Sequence, residues 1–246
     1  METVTVRYLY HSGFAVEFND TVLIFDYYSD ESENEIRSLS TGVIEPSEIK
    51  DKRVMVFSSH KHPDHFNPVI LSWKTNLPNV QYFLSSDIPK KYHSEFTHIL
   101  KPNQVYEESG LKIQTFKSTD AGVAFLITLN GINIYHAGDL NWWHWDEESK
   151  AWNNDMAARF KYEISLLKEI NIDIAFLTAD PRQEEAELLG LNWFIDHVNV
   201  KTVFPMHFWD DYTIMDRIKK EAQNKPDLNK VRLISKRGEA FIIPVI

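Results

Sequence analysis

The chain has 246 residues, a formal net charge of −10 and no cysteine. Disulfides, zinc fingers and thiolate nucleophiles are therefore excluded, and any metal must be held by imidazole and carboxylate groups. The acidic balance disfavours an extended nucleic-acid partner, whose phosphates need Lys and Arg. No apolar run is long enough for a membrane span. The opening stretch METVTVRYLYHSGF lacks the basic-then-apolar pattern of a signal peptide, and the absence of cysteine fits a reducing compartment, so a cytoplasmic location is expected.

In chain order, VTVRYLY and FAVEF read as strands rich in β-branched and aromatic residues, and TVLIFDYY follows after the turn residues Asn19-Asp20. Residues 29–50 are polar and acidic and read as a loop with a short helix at its end. RVMVFSS is a continuous apolar run, the mark of a strand buried on both faces. Pro63 and Pro68 stiffen the turn after it, and a short helix is expected through VILSWK. VQYFLSS reads as a strand and IPKKYHSEF as a helix. LKIQTFKS, AFLITLNG and INIYHAGD read as strands, the last two joined by Asn-Gly. Residues 154–170 read as an amphipathic helix, DIAFLTAD as a strand, EEAELLGLNWFIDHV as a helix and KTVFPMHF as a strand. YTIMDRIKKEAQ reads as a helix, and RLISKRGEAFIIPV as a closing hairpin. The pattern is α/β (α+β), with strands early and strand–helix alternation late; two sheets with helices on their outer faces in one domain, 1–246, would fit it.

The stretch SSHKHPDHFNP places His60, His62, Asp64 and His65 directly after a buried strand. His60 and His62 are two apart, so in extended chain they face the same way. Pro63 then bends the chain, and Asp64 and His65 can face a second point. A dinuclear site needs further ligands, often with a bridging carboxylate, so other strand ends should carry His or Asp. They do: His136 and Asp139 end INIYHAGD, His207 ends KTVFPMHF, Asp26 ends TVLIFD, and Asp120 precedes VAFLITL.

The order H-x-H-x-D-H, then Gly-Asp after a strand, then a late strand-ending His, resembles the metallo-β-lactamase superfamily. The resemblance runs from HSGF to FPMHFW and implies a four-layer αββα sandwich with one or two metals at the sheet edge. It implies that His60 and His62 hold the first metal, that Asp64 and His65 hold the second, that Asp139 bridges them and that His207 completes the second site. Zn²⁺ is the implied cofactor, with Mn²⁺ or Fe²⁺ as alternatives. HSGF, IYHAGD and TADPRQ are similar to the branch of small hydrolases that includes sugar-phosphate lactonases. The family usually carries a third His before a Gly at the first site. Here Ser118-Thr119-Asp120-Ala121-Gly122 has none, and Asp120 is the substitute expected, a hard oxygen ligand more tolerant of Mn or Fe.

These features point to a metal-dependent hydrolase that uses a metal-activated water on a small, anionic ester, lactone or phosphoester, with Asp64 also able to accept a proton. A non-catalytic metal-binding sensor and a nuclease of the same fold are the alternatives, and a homo-oligomer is left open. Asp26 is expected to orient a metal-bound His rather than to bind metal. His11 and His136 either line the pocket or are ordinary half-buried histidines. Trp142, Trp143 and Trp145 either wall a substrate or pack their loop, and Arg182 either holds an anionic group or makes a structural ion pair.

Overall fold

The structure is a computed structural model and describes residues 3–32 and 34–245. The chain forms two compact units, residues 1–101 with 235–246, and residues 102–234. The first unit contains strands β1 (Thr3–Tyr10), β2 (Gly13–Phe18) and β3 (Thr21–Phe25), helix α1 (Pro46–Ile49), and strands β4 (Arg53–Ser58), β5 (Gln81–Ser85) and β6 (Thr97–Leu100). The second contains β7 (Val105–Glu108), β8 (Leu111–Lys117), β9 (Val123–Leu129), β10 (Ile132–His136), helix α2 (Lys150–Ser165), β11 (Ile172–Thr178), helix α3 (Leu189–His197), β12 (Val200–Met206) and helix α4 (Thr213–Glu221). Strand β13 (Ala240–Pro244) returns the chain to the first unit. Among the described residues, no helix is long and apolar enough to cross a membrane.

The first unit's sheet has the order β13-β1-β2-β3-β4-β5-β6. Hairpins build its early part, with Asn19 (φ 51°) in the turn between β2 and β3. From β3 onward the pairing is parallel: Phe25 opposes Phe57, and Phe57 opposes Phe83. Strand β3 is buried throughout and β4 is buried from Val54 to Ser58, as central parallel strands require. Ring stacking of Phe25 on Phe57 and of Phe57 on Phe83 continues across these strands.

The second unit's sheet has the order β12-β11-β10-β9-β8-β7. Asn130 (φ 53°) and Gly131 (φ 79°) close the β9–β10 hairpin with both residues left-handed, the Asn-Gly arrangement anticipated. β10, β11 and β12 are parallel, with His136 opposite Phe176 and Thr178 opposite Met206. In each unit the candidate ligands follow the C-terminal ends of parallel strands, where open α/β sheets form their sites.

Four predicted elements differ. Residues 88–96 are not a helix: Pro89 is extended, only Lys90–Tyr92 makes a single 3-10 turn, and Thr97–Leu100 pairs with β5. Residues 184–198 do not form one helix, because Glu184 (φ 51°, ψ −119°) breaks it and α3 starts only at Leu189. The helix expected at 154–170 spans Lys150–Ser165, since the Ser149 side chain caps it by accepting from the Trp152 amide. Residues 232–245 are not a hairpin: Val231 bridges to Val203, whereas Ala240–Pro244 pairs with β1.

Candidate metal centre

In the first unit, one buried carboxylate organises the His-rich turn. Asp26 lies just past β3, and its Oδ1 accepts from the backbone N–H of Ser59 at 2.7 Å. Its Oδ2 accepts from Ser59 Oγ at 2.7 Å and bonds to Nδ1 of His65 at 2.7 Å. A carboxylate only accepts, so His65 Nδ1 is the donor and the ring's lone pair lies on Nε2. The Ser59 hydroxyl proton is committed to Asp26. The 3.0 Å contact between Ser59 Oγ and His60 Nδ1 therefore has the imidazole as donor, which puts the His60 lone pair on Nε2 as well. That nitrogen stands 2.9 Å from Nδ1 of His62. One aspartate thus sets the tautomer of two histidines, His65 directly and His60 through a hydroxyl.

The ligand atoms of His11, Asp64 and His65 lie within 4.8 Å of one another. His11 Nε2 is 3.4 Å from Asp64 Oδ2, and His65 Nε2 is 3.9 Å from the same oxygen. Burial pushes His60 down to about 2, helped by the neighbouring His65 and His62 charges, so it is a neutral imidazole at pH 7. Burial acts to raise the Asp64 carboxyl, but the His11 hydrogen bond and the His65 charge outweigh it and hold Asp64 below the usual carboxylate range.

The second unit repeats the device. His207, just past β12, bonds through Nδ1 to Oδ2 of the fully buried Asp180 at 3.0 Å, and Arg182 grips the same carboxylate. The His207 lone pair is again on Nε2, which stands 3.3 Å from Asp139 Oδ1. Burial works to lower the His207 pKa, but the charges of Asp139 and Asp180 prevail and raise it. A hydrogen-bonded network holds the Asp139 loop. The Thr119 hydroxyl contacts the Asp139 and Asn141 carbonyls (3.2 and 2.7 Å) and the Asn141 amide (3.0 Å). Asn141 Nδ2 donates to Gln183 Oε1 at 2.9 Å. Trp143 Nε1 donates to the Asp139 carbonyl, and its ring lies edge-on to His207 at 5.6 Å.

This donor set fits a divalent cation. A neutral His60, the His65 and His207 rings each oriented by a buried carboxylate, and an ionised Asp64 are the kind of donors that ligands need. Two ligands at 2.0–2.1 Å in tetrahedral geometry lie about 3.3 Å apart, which matches the His11–Asp64 and His207–Asp139 spacings. Three residues here, His11 (φ 56°), Asp26 (φ 40°) and His207 (φ 70°), hold left-handed backbone conformations without being glycine.

In the first unit the structure brings His60, His62, Asp64 and His65 together, with Asp26 behind them; in the second it puts Asp139 beside His207. Asp120 is exposed, its amide bonded to Ser118 Oγ, and it joins none of the ligand-atom clusters found among the described residues. The neighbouring Ser118 and Thr119 are the buried members of that loop. His11 and His136 are fully buried rather than half-buried. His136 accepts the Gly138 amide through Nδ1, a bond that shapes the turn leading to Asp139. Sequence reasoning missed Asp180, although TADPRQ has the same cue that marks Asp26, an aspartate closing an apolar strand. Arg182 makes the ion pair with Asp180. Trp143 and Trp145 stack, with rings 6.1 Å apart and 6° from parallel, while Trp142 packs on Phe160 and Trp193 with Lys161 Nζ 4.0 Å above its ring.

Histidines and aspartates seated past parallel strand ends, with His65 and His207 each oriented by a buried carboxylate, define an α/β protein with a metal-type site. The family model of the beta-lactamase superfamily domain matches residues 5–154. The chain belongs to that superfamily, and its fold class is the α/β metallo-β-lactamase fold anticipated from the sequence. It is similar to Igni18, a metallo hydrolase from Ignicoccus hospitalis, at 18% identity and a TM-score of 0.68, over 99% of this chain and 100% of that one. YhfI, a metallo-beta-lactamase fold protein from Bacillus subtilis, matches at 15% identity and a TM-score of 0.65, over 98% and 100% of the two chains. CmlA, a diiron beta-hydroxylase from Streptomyces venezuelae, matches at 10% identity and a TM-score of 0.64, and this chain spans 55% of its length. No curated protein matches the chain in sequence.

Proposed function

We propose that the protein is a metal-dependent hydrolase of a small ester, lactone or phosphoester. The observation that carries this reading is the turn after β4, where Asp26 and Ser59 fix the lone pairs of His60 and His65 beside His62 and Asp64. Membership of the beta-lactamase superfamily supports it. His60, His62, Asp64 and His65 of the first unit, and Asp139 and His207 of the second, are the proposed ligands. A bound divalent metal would supply an activated water and polarise the scissile group. Asp64 is ionised and its side chain is 23% exposed, so it can also take the proton released on attack. Asp180 and Asp26 hold His207 and His65 in the ligating tautomer throughout.

A cavity of about 270 Å³ in the second unit is lined by Trp145, Arg182, Asp146, Glu147, Glu184 and Glu185, among others. None of the proposed ligands lines this cavity, so the choice among ester, lactone and phosphoester rests on assay. The test is a panel of p-nitrophenyl acetate, a γ-lactone and bis(p-nitrophenyl) phosphate, assayed with metal-loaded and chelator-stripped protein. Turnover that is lost on stripping and restored by Zn²⁺, Mn²⁺ or Fe²⁺ is expected. Metal-loaded protein that turns over none of the three, or stripped protein of unchanged activity, would refute the proposal.

A further inference from the structure

We infer that His11 is itself a metal ligand, joining Asp64 and His65, whose ligand atoms lie within 4.8 Å of its own. This rests on the reading of the His-rich turn as a metal centre. It adds a residue that the family resemblance does not supply.

His11 and Ser12 are the connecting residues of the β1–β2 hairpin, a position that normally faces water. Here both are 0% exposed. The hairpin is shaped to turn them inward. Its register shifts between Tyr8 and Tyr10, the kind of bulge that re-aims a side chain. The His11 amide donates to the Tyr8 hydroxyl at 2.8 Å, which anchors the turn from beneath. Gly13 then permits close approach to the strand that carries Asp26: a Cβ there would stand 3.1 Å from the Asp26 carbonyl and 3.0 Å from that of Tyr10.

The result is an imidazole brought to Asp64 and His65. The His11 ring is 5.6 Å from the His65 ring, and its Nε2 is 3.4 Å from Asp64 Oδ2. The 3.4 Å between His11 Nε2 and Asp64 Oδ2 is close to the about 3.3 Å at which two donors share one tetrahedral cation. Two imidazoles and one carboxylate suit Zn²⁺ and, with open positions, Fe²⁺.

The variants H11G and H11N test this in the full chain, because both residues accept φ near 56° and the turn itself is spared. H65A is the control for loss of a ligand. Metal content after dialysis against Zn²⁺ or Mn²⁺, affinity by chelator competition, and melting temperature with and without metal are the readouts. The expected result is an apo melting temperature at or above wild type in H11G, with affinity lowered by more than about tenfold and the metal-induced rise in melting temperature reduced. H11G and H11N that keep wild-type metal content and the full metal-induced rise overturn the inference alone. So does a lowered apo melting temperature with unchanged affinity, which marks a packing role. A wild-type chain that binds neither metal overturns it together with the reading beneath it.

Discussion

The carboxylate of Asp180 accepts the Nδ1 proton of His207 at 3.0 Å while also binding Arg182, so a buried charge is shared between a candidate ligand and a surface cation. Removing the charge while keeping the shape should loosen the metal without unfolding the protein. Asp180→Asn is expected to lower metal affinity by roughly 10–100-fold, the range found when the groups supporting a ligand are changed. Chelator competition measures this, and circular dichroism should be unaltered. Affinity equal to wild type would separate Asp180 from the metal site.

Ser59 passes the influence of Asp26 on to His60 through a single hydroxyl. Ser59→Ala removes that hydroxyl and lets the His60 ring choose its tautomer. The expected outcome is a stability loss of about 1–3 kcal/mol in urea denaturation, from an under-satisfied buried Asp26, together with weaker metal binding. His65 keeps its direct bond to Asp26, so the loss of affinity should be smaller than in Asp26→Ala. Equal losses in the two variants would show that the relay through Ser59 carries the whole effect.

Gly190 sits against the loop that carries Asp139. A Cβ at this position would fall 2.0 Å from Asn141 Oδ1 and 3.1 Å from the Trp142 amide. Asn141 is committed to Gln183 and Thr119 and has little room to yield. Gly190→Ala is therefore expected to cost about 1–3 kcal/mol through overpacking and to weaken metal binding as the loop shifts. Differential scanning calorimetry reads the first effect and metal titration the second. An unchanged melting temperature would mean that the loop adapts freely.

Glu163 on α2 is buried, and burial raises its carboxyl above the ordinary value even though the Lys117 amide donates to it. The folded state then binds its proton more tightly than the unfolded state does, so stability falls as pH rises from the ordinary Glu value through the shifted one. Below the ordinary value both states are protonated and the residue is neutral in effect. E163Q should gain stability over wild type at neutral pH and lose that advantage in acid. Urea midpoints at roughly pH 4 and pH 7 check this; an advantage of equal size at both would rule out the protonation account.

In the first unit the candidate ligands were readable because they are local. His60 to His65 lie within one turn, and the strand before them carries the apolar run Val54–Phe57. Asp139 and His207 were legible for a similar reason, since each closes an apolar run. His11 and Asp180 were harder. A hairpin turn carries no burial signal in its own residues, and an aspartate followed by proline reads as a turn. The helix expected at 88–96 failed because Pro89 and the pairing of Thr97–Leu100 with β5 override local propensity. Asp120 drew attention by its place in the family pattern, yet the chain turns it outward and buries Thr119 instead.

Strand β13 lies at the edge of the first sheet, where Ala240–Arg7 and Pro244–Thr3 mark the limits of its pairing with β1. The hairpin that presents His11 therefore gains its flanking strand only after the polypeptide has been synthesised through Pro244. During translation the outer edge of β1 is an unsatisfied template, and its closure is among the most non-local events in the molecule. Nascent chains stalled before residue 240 should be the species most in need of chaperone protection.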